Sequence, residues 1–180
     1  NSTTPDEGWG VNGRVVWEPI VDSGKLVHVG VSGYRATNFA ANTVTIEDRP
    51  GTRIDGGRIV SVAIAGTAPA GGPQTGAKDA TFLGAETALV YGHFSLQGEY
   101  GRVAINRFGI APTVRFDGFY AFGSWFLTGE SRSFKGGSVD RLKPFNDFDP
   151  AAGKWGAVEL LVRYDQLDLT DRDLSPLARK

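Results

Sequence analysis

Apolar and polar residues alternate with a period of two along most of this chain. From residue 9 to residue 18, the odd positions hold Trp9, Val11, Gly13, Val15 and Trp17, and the even positions hold Gly10, Asn12, Arg14, Val16 and Glu18. A Gly-containing turn at 21–25 separates this stretch from residues 26–34, where Val27, Val29 and Val31 alternate with His28, Gly30 and Ser32. Alternation on both sides of a short turn predicts an antiparallel hairpin with one apolar and one polar face.

The same alternation recurs further along the chain and predicts more strands. It appears at residues 43–49, 58–65, 81–91, 94–100, 114–128 and 155–169, and a loop rich in Gly, Ala and Pro is expected at 66–79. No stretch has helical periodicity. The sequence therefore predicts an all-β fold of seven or eight strands, an antiparallel up-and-down barrel or part of one.

The hairpin at residues 81–100 has the clearest register. Gly92-His93 fits a two-residue type II′ turn with Gly at its first central position. Such a turn places Leu89 opposite Leu96 and Glu86 opposite Glu99. Opposed carboxylates destabilise a dry sheet face, so this face is expected to look into water.

Composition narrows the class of protein. Nineteen Lys and Arg balance twenty Asp and Glu, so there is no clustered basic excess for nucleic acid. The chain has no Cys, hence neither disulfides nor thiolate metal sites, and it has no apolar run long enough for a transmembrane helix. His28 and His93 are far apart, and with no metal, nucleotide or triad motif, no metal site or cofactor is expected.

Periodicity alone does not say which face meets water, because soluble and membrane barrels both alternate. Three features favour the membrane: strands of about 9–11 residues, aromatic residues near strand ends, and connections that alternate between short and long. Two alternatives remain open. One is a soluble β-sandwich binding module with the Val face as its core; the other is a jelly-roll glycosidase using Glu86 and Glu99 as acid and nucleophile.

Several sequence strings then resemble one family, in the right order along the chain. They are Glu7-Gly8-Trp9-Gly10, residues 91–100 (YGHFSLQGEY), residues 125–130 (WFLTGE), Arg141-Leu142-Lys143-Pro144 with Phe148-Asp149, and Gly156-Ala157-Val158-Glu159-Leu160 with Arg163-Tyr164. Over about residues 6–171 the chain resembles the phosphate-selective porin O/P family.

This resemblance implies a homotrimeric porin of the Gram-negative outer membrane, in contact with the lipid bilayer, that passes small anions such as phosphate or chloride and is not an enzyme. Its barrel would have about sixteen strands, the size at which a barrel leaves an aqueous channel. Seven or eight strands are too few to close that barrel. We therefore expect residues 1–180 to form one partial barrel domain, a fragment lacking both ends.

Arginine and lysine side chains in the lumen account for anion selectivity in such a family, because guanidinium groups replace the hydration of an anion. By alternation, the pore-lining cations are Arg14, Arg49 and Arg163, while the facing of Arg102 and Arg115 is ambiguous. Glu86, Glu99 and Glu159 are the expected counter-charges. The simpler interpretation is that all these residues are ordinary, mutually balancing lumen charges.

One departure from the family weakens the phosphate expectation. Members of the family carry alternating arginines before the Pro50 position, but here only Arg49 remains, with Thr45 and Glu47 at the alternate positions. A pore-lining carboxylate at Glu47 would repel phosphate. Lys135, Arg141 and Lys143, in the long connection after Glu130, are candidates for a basic funnel at the mouth, or are simply solvated loop charges.

Overall fold

The computed structural model describes residues 8–48, 60–67 and 71–174. Within these ranges the chain is almost entirely strand and connecting loop, with two short 3₁₀ turns at Ala40–Asn42 and Pro150–Ala152. The long strands are β1 (Gly10–Asp22), β2 (Lys25–Thr37), β5 (Ala77–Tyr91), β6 (Phe94–Arg107), β7 (Val114–Phe126) and β12 (Glu159–Asp168). The short strands are β3 (Val44–Asp48), β4 (Val60–Ile64), β8 (Phe134–Lys135), β9 (Ser138–Val139), β10 (Phe148–Asp149) and β11 (Lys154–Trp155).

The six long strands form one antiparallel sheet in the order β1-β2-β5-β6-β7-β12. Each strand pairs with the next long strand in the chain, as an up-and-down sheet requires. The predicted all-β, antiparallel fold is confirmed. The described strands form an open sheet, with β1 and β12 at its two edges.

The predicted register of the hairpin formed by β5 and β6 is also confirmed. Leu89 is opposite Leu96, and Glu86 is opposite Glu99. Gly92 has a φ of 57°, and of the two turn residues it alone has a positive φ, as a type II′ turn requires. The tight turn thus fixes which side chains of both strands share a face.

Two of the predicted strands lie outside this sheet. The segments expected at 43–49 and 58–65 appear as β3 and β4, which pair only with each other in the described part of the chain. Each has five residues, fewer than the roughly 9–11 that a bilayer span needs. The sheet consequently has six long strands rather than the seven or eight expected.

The two faces of the sheet differ sharply in chemistry. We call the face that carries Arg14, His28 and Glu86 the inner face, because both long connections fold onto it. The opposite, outer face exposes large apolar side chains from all six strands. Examples are Val11, Val15, Trp17, Val29, Val31, Leu83, Leu89, Leu96, Trp125, Leu160, Val162 and Tyr164. Such inversion of the soluble pattern is typical of a lipid-facing sheet.

A bulge in β1 keeps this division of faces intact. The register with β2 shifts between Trp17 and Ile20, so Trp17 pairs with Val29 and Ile20 with Val27. Both apolar residues thereby face outward although they are three positions apart. Pro19, which has no backbone N–H to donate, falls inside the irregular stretch, where the ladder is interrupted.

The connection between β2 and β5 folds inward at one end of the sheet. The apolar side chains of its β3–β4 hairpin (Val44, Ile46, Val60, Val62 and Ile64) pack on a buried cluster that includes Ala77, Ile105, Val114, Phe116 and Leu169. Burial of this apolar surface stabilises the packing of the hairpin on the six-stranded sheet, which we call the wall. The inner face is therefore apolar at this end.

The connection between β7 and β12, which we call the inner segment (residues 127–158), folds inward from the other end. Its Phe134 packs against Leu26, Ala88 and Val90. The tight turns at Ser23-Gly24 and Gly92-His93 lie at this same end. If short and long connections alternated, all long connections would lie at the end of the sheet opposite the tight turns. The β2–β5 connection does so, but the inner segment lies at the same end as the tight turns. Among the described residues, no helix is long and apolar enough to cross a bilayer.

Candidate functional site: the charged inner face

Between the two inward-folded connections, the inner face carries a group of charged and polar side chains that we call the charged strip. Its members come from all six long strands, and Tyr120 is the member from β7. They are Arg14, Glu18, His28, Glu86, Gln97, Glu99, Tyr120, Glu159, Arg163 and Asp165. Cross-strand register brings them together, because Gly30, Glu86, Glu99, Tyr120 and Asp165 are successive partners across five strands.

The first half of the strip is centred on Glu86. Arg14 donates from Nε to Glu86 Oε1 at 2.9 Å and also bonds it through Nη2. His28, only 3 % exposed, places Nε2 3.0 Å from Glu86 Oε1 and Nδ1 2.8 Å from Glu18 Oε1. The imidazole is thus held between two carboxylates, which fixes its orientation and joins β1, β2 and β5.

The second half is centred on the Tyr120 ring. Its hydroxyl donates to Glu99 Oε1 at 2.5 Å and accepts from Gln97 Nε2 at 3.2 Å. The Arg163 guanidinium lies over the same ring, 4.1 Å from its centroid, and binds the Asp165 carboxylate with an Nη2–Oδ1 distance of 2.6 Å. Stacking on the ring orients Arg163 and holds it along the wall.

Arg132 connects the inner segment to the wall through hydrogen bonds and an ion pair. Its guanidinium donates to Ser95 Oγ and Ser124 Oγ at 3.2 and 3.3 Å and forms an ion pair with Glu159. The same group lies over the rings of Phe122 and Phe126. One side chain of the segment therefore contacts three wall strands, β6, β7 and β12.

A second contact joins the inner segment to the strip. Arg14 Nη2 donates to the Gly137 carbonyl at 3.2 Å. Between this contact and the wall lies a cavity of about 150 Å³ whose lining includes Arg14, His28, Glu86, Gln97 and Glu99. The charged strip thus borders water-accessible space narrowed by the segment.

Two arginines of ambiguous facing lie on the outer face. Arg102 is the cross-strand partner of Asp117, and Arg115 is the partner of Ala104. Both pairs lie on the same face as the pair formed by Tyr100 and Phe119. Arg102 Nε donates to Asp117 Oδ1 at 2.6 Å, and Tyr100 donates to the same carboxylate oxygen at 2.5 Å. Charged and phenolic groups at one end of an apolar face are typical of a membrane–water interface.

The structure places the predicted site residues as follows. Arg14, Arg163, Glu86, Glu99 and Glu159 share the inner face, and their role in lining a pore stays a prediction. Glu47 is on the separate β3–β4 hairpin, paired with Ser61, and Arg49 lies outside the described residues. Lys135, Arg141 and Lys143 are exposed on the inner segment, which leaves the funnel a prediction as well.

Sequence reasoning missed Arg132, because it follows β7 in a stretch without periodicity. Glu18 and Asp165 could have been found, since they occupy the same alternating sets as Arg14 and Arg163. Within the strip, the Glu86 carboxylate is bound by Arg14 and His28, and that of Glu99 by Tyr120. Among the described residues, no group of three or more His, Cys, Asp or Glu could hold a metal ion.

An antiparallel sheet with an apolar outer face, a charged inner face and inward-folded connections is the arrangement expected for part of a porin barrel. The comparisons agree with this class. The family described as "Phosphate-selective porin O and P" matches residues 1–176, and the chain belongs to this family.

Two curated relatives were found. A Caulobacter vibrioides protein described as uncharacterized is 31 % identical over 181 residues, which covers 96 % of this chain and 34 % of the relative. Porin O of Pseudomonas aeruginosa is 32 % identical over 174 residues, which covers 89 % of this chain and 37 % of Porin O. The chain thus spans about a third of the length of the curated relatives it matches.

Proposed function

We propose that this chain forms part of the wall of a water-filled channel in a Gram-negative outer membrane. The observation that carries the proposal is the opposition of the two sheet faces: Val29, Leu89 and Val162 on one side, and Arg14, Glu86 and Glu99 on the other. Apolar groups meet lipid and charged groups meet a solvated lumen. In the complete protein, we expect further strands to close the barrel and three copies to associate.

The permeating solutes in this proposal are small anions such as chloride or phosphate, as the family description suggests. Arg14 and Arg163 provide cationic groups on the inner face for them. However, both arginines are paired with carboxylates, Arg14 with Glu86 and Arg163 with Asp165. Paired guanidinium groups attract an anion weakly, so this part of the wall supports passive diffusion better than selective phosphate binding.

The soluble alternative is less well supported. A β-sandwich would need a second layer over the apolar face, and within the described ranges no strand covers that face. The glycosidase alternative needs two available carboxylates, whereas Glu86 is already bound by Arg14 and His28.

The test is electrical recording of the full-length protein that contains this chain, reconstituted in a planar lipid bilayer. Stepwise conductance increments are expected. Reversal potentials under gradients of potassium chloride and then potassium phosphate would measure which ions pass. Absence of any conductance from correctly folded protein would overturn the proposal.

A further inference from the structure

Among the described strands, the outer face carries charged residues only near its two ends. At the end with the tight turns, Lys25 is the cross-strand partner of both Asp22 and Tyr91. The charged residues of the opposite end are Arg35, Arg102, Arg115, Asp79, Asp117 and Asp168, with Lys78 in the irregular stretch of β5. The outer-face positions between the two ends hold apolar, small or uncharged polar residues.

The distance between the two charged ends matches the thickness of a membrane. Lys25 is opposite Tyr91, and Arg35 is opposite Thr81, ten residues further along both strands. Ten residues of strand at about 3.3 Å each, tilted by about 40°, rise about 25 Å. A transmembrane barrel presents an apolar band of about this height to lipid. In the proposed channel, the arginine-bearing end therefore lies in one headgroup layer and the tight turns lie at the other.

The lengths of the connections indicate which headgroup layer holds the arginines. In outer-membrane barrels the short turns face the periplasm and the longer loops face outward. The tight turns at Ser23-Gly24 and Gly92-His93 lie at one end, and the β2–β5 connection at the arginine-bearing end runs from residue 38 to residue 76. The arginines therefore lie in the outer leaflet, which in a Gram-negative outer membrane is built of phosphorylated glycolipids.

The guanidinium of Arg115 is exposed on this face and has no protein partner within the described ranges. The carboxylates around it, in contrast, already accept hydrogen bonds from other groups of the chain. The donors are Arg102 and Tyr100 for Asp117, Asn106 for Asp79, the Thr170 amide for Asp168, and the amides of Arg115 and Asp173 for Asp171. The five N–H donors of the Arg115 guanidinium thus remain available on a surface that faces the membrane.

Two further arginines lie near Arg115 on the same face. One register row across β2, β5, β6 and β7 consists of Arg35, Thr81, Ala104 and Arg115. Arg102 is the diagonal neighbour of Arg115, since its own partner is Asp117, and such neighbours are about 7–8 Å apart. The side chains of Arg35 and Arg102 are half-exposed. Because the two residues between Arg35 and Arg115 are small, the row leaves room for a headgroup between long cationic side chains.

We propose that Arg35, Arg102 and Arg115, which we call the outer arginine cluster, bind the phosphate of an outer-leaflet glycolipid, with Arg115 as the main contact. The inference rests on the proposed membrane placement of the outer face and adds a lipid ligand to it. A guanidinium suits phosphate because it donates two parallel hydrogen bonds to the phosphate oxygens. The acyl chains of the lipid extend from the cluster along the apolar rows that contain Leu83 and Phe119.

The test is a titration of the full-length protein in detergent with lipid A, a phosphorylated glycolipid, followed by native mass spectrometry. A chelator of divalent cations is present, so that no cation bridges the phosphate to Asp168. The unmodified protein is expected to bind lipid A. Dephosphorylated lipid A should bind at least about tenfold more weakly, because its hydrogen bonds to a charged group are lost. This comparison requires no variant. Inorganic phosphate, titrated separately, distinguishes a free anion from a lipid headgroup.

Arg115→Gln should weaken binding of lipid A by about tenfold, because it removes the charge and the paired donors. Arg115→Lys keeps the charge without the planar fork and should have an intermediate affinity. Asp168→Asn is the matched control, because it removes a charge from the same end of the same face. Since the charge removed is negative, this variant should bind lipid A at least as tightly as the unmodified protein.

The outcomes separate the lipid site from the channel. Equal affinities for lipid A and its dephosphorylated form would overturn the inference, and so would an Arg115→Gln variant that binds lipid A as tightly as Asp168→Asn does. Inorganic phosphate that binds as tightly as lipid A would make the cluster a site for a free anion instead. Conductance is recorded on the same preparation. A conducting protein without phosphate-dependent lipid binding keeps the channel and loses the lipid site, whereas a non-conducting protein that binds lipid A through Arg115 loses only the channel.

Discussion

Gly30 and Glu86 are directly opposed on β2 and β5, and the missing side chain of Gly30 provides the space for the Glu86 carboxylate. A Cβ atom at Gly30 would lie 2.7 Å from Glu86 Cγ and even closer to Oε1. Because Glu86 binds both Arg14 and His28, the glycine supports the whole first half of the charged strip.

Gly30→Ala should therefore destabilise the folded barrel. Overlap with Glu86 would displace its carboxylate from Arg14, at a cost of about 1–3 kcal/mol for overpacking. Thermal unfolding of the full-length protein in detergent would measure the change. Gly13→Ala is the control, because a Cβ atom there has no heavy atom within 4 Å. Equal melting temperatures for the two variants would contradict this prediction.

Arg132→Ala should release the inner segment from the wall. The substitution removes the hydrogen bonds to Ser95 and Ser124 and leaves Glu159 without its guanidinium partner. A loss of about 2 kcal/mol is expected for hydrogen bonds to a charged group. Faster limited proteolysis within residues 133–147, together with larger single-channel conductance, would report the release.

Arg141→Ala removes an equal charge from an exposed position of the same segment and should change neither measurement. If the Arg132 variant is as resistant to protease as this control, Arg132 does not hold the segment.

Acid should loosen the inner segment through Glu130. Its buried carboxylate accepts from the Thr128 hydroxyl and, at 3.1 Å, from the Phe145 amide. The Thr128 bond, helped by Phe145 and opposed by burial, holds the pKa of Glu130 below its ordinary value of 4.5. Because this pKa is lowered in the folded protein, the stabilisation by ionised Glu130 is fully present above pH 4.5. It is lost as the pH falls through the pKa of Glu130 in the folded protein.

Hydrogen exchange at the Phe145 amide, corrected for the intrinsic pH dependence of exchange, should accelerate as the pH falls through the lowered pKa of Glu130. In Glu130→Gln the protection should be lower at neutral pH and should no longer change with acid. Protection that is constant from neutral to acidic pH in the unmodified protein would refute this assignment.

Adjacent positions of β12 should differ in how strongly a new charge destabilises the protein. Val162 is 77 % exposed on the outer face, whereas Leu161 lies on the inner face opposite Ser124. Val162→Arg should weaken folding of the full-length protein into lipid vesicles by about 2–4 kcal/mol if the position lies near the bilayer midplane. Leu161→Arg, at nearly the same depth, should cost far less. The reverse order would indicate a soluble sheet with a dry outer face.

Local patterns in the sequence predicted the sheet and its faces well. Alternation identified all six long strands, and the Gly92-His93 turn fixed the register that brings Glu86 opposite Glu99. Both features depend on neighbouring residues only, namely strand pleating and turn geometry. For the same reason, alternation placed Arg14 and Arg163 on one face correctly.

Contacts distant in sequence could not be predicted in this way. Alternation in β3 and β4 indicates strands but does not say that these strands pair with each other and pack on Ile105 and Phe116. Arg132 reaches Ser95 and Glu159 because the inner segment turns back into the sheet. Nothing periodic near Arg132 marks that reversal. The position of Arg102 on the outer face likewise emerged only from the pairing of β6 with β7.

The open edges of the sheet have a consequence for how this wall enters a membrane. Within the described residues, β1 pairs only with β2 and β12 only with β7, so each leaves a row of amide and carbonyl groups unmatched. Hydrocarbon offers these groups no partners, and each unmatched group costs several kcal/mol there. Insertion of these strands is therefore thermodynamically tied to the arrival of neighbours on both sides, and the barrel is expected to insert and close in a single cooperative transition.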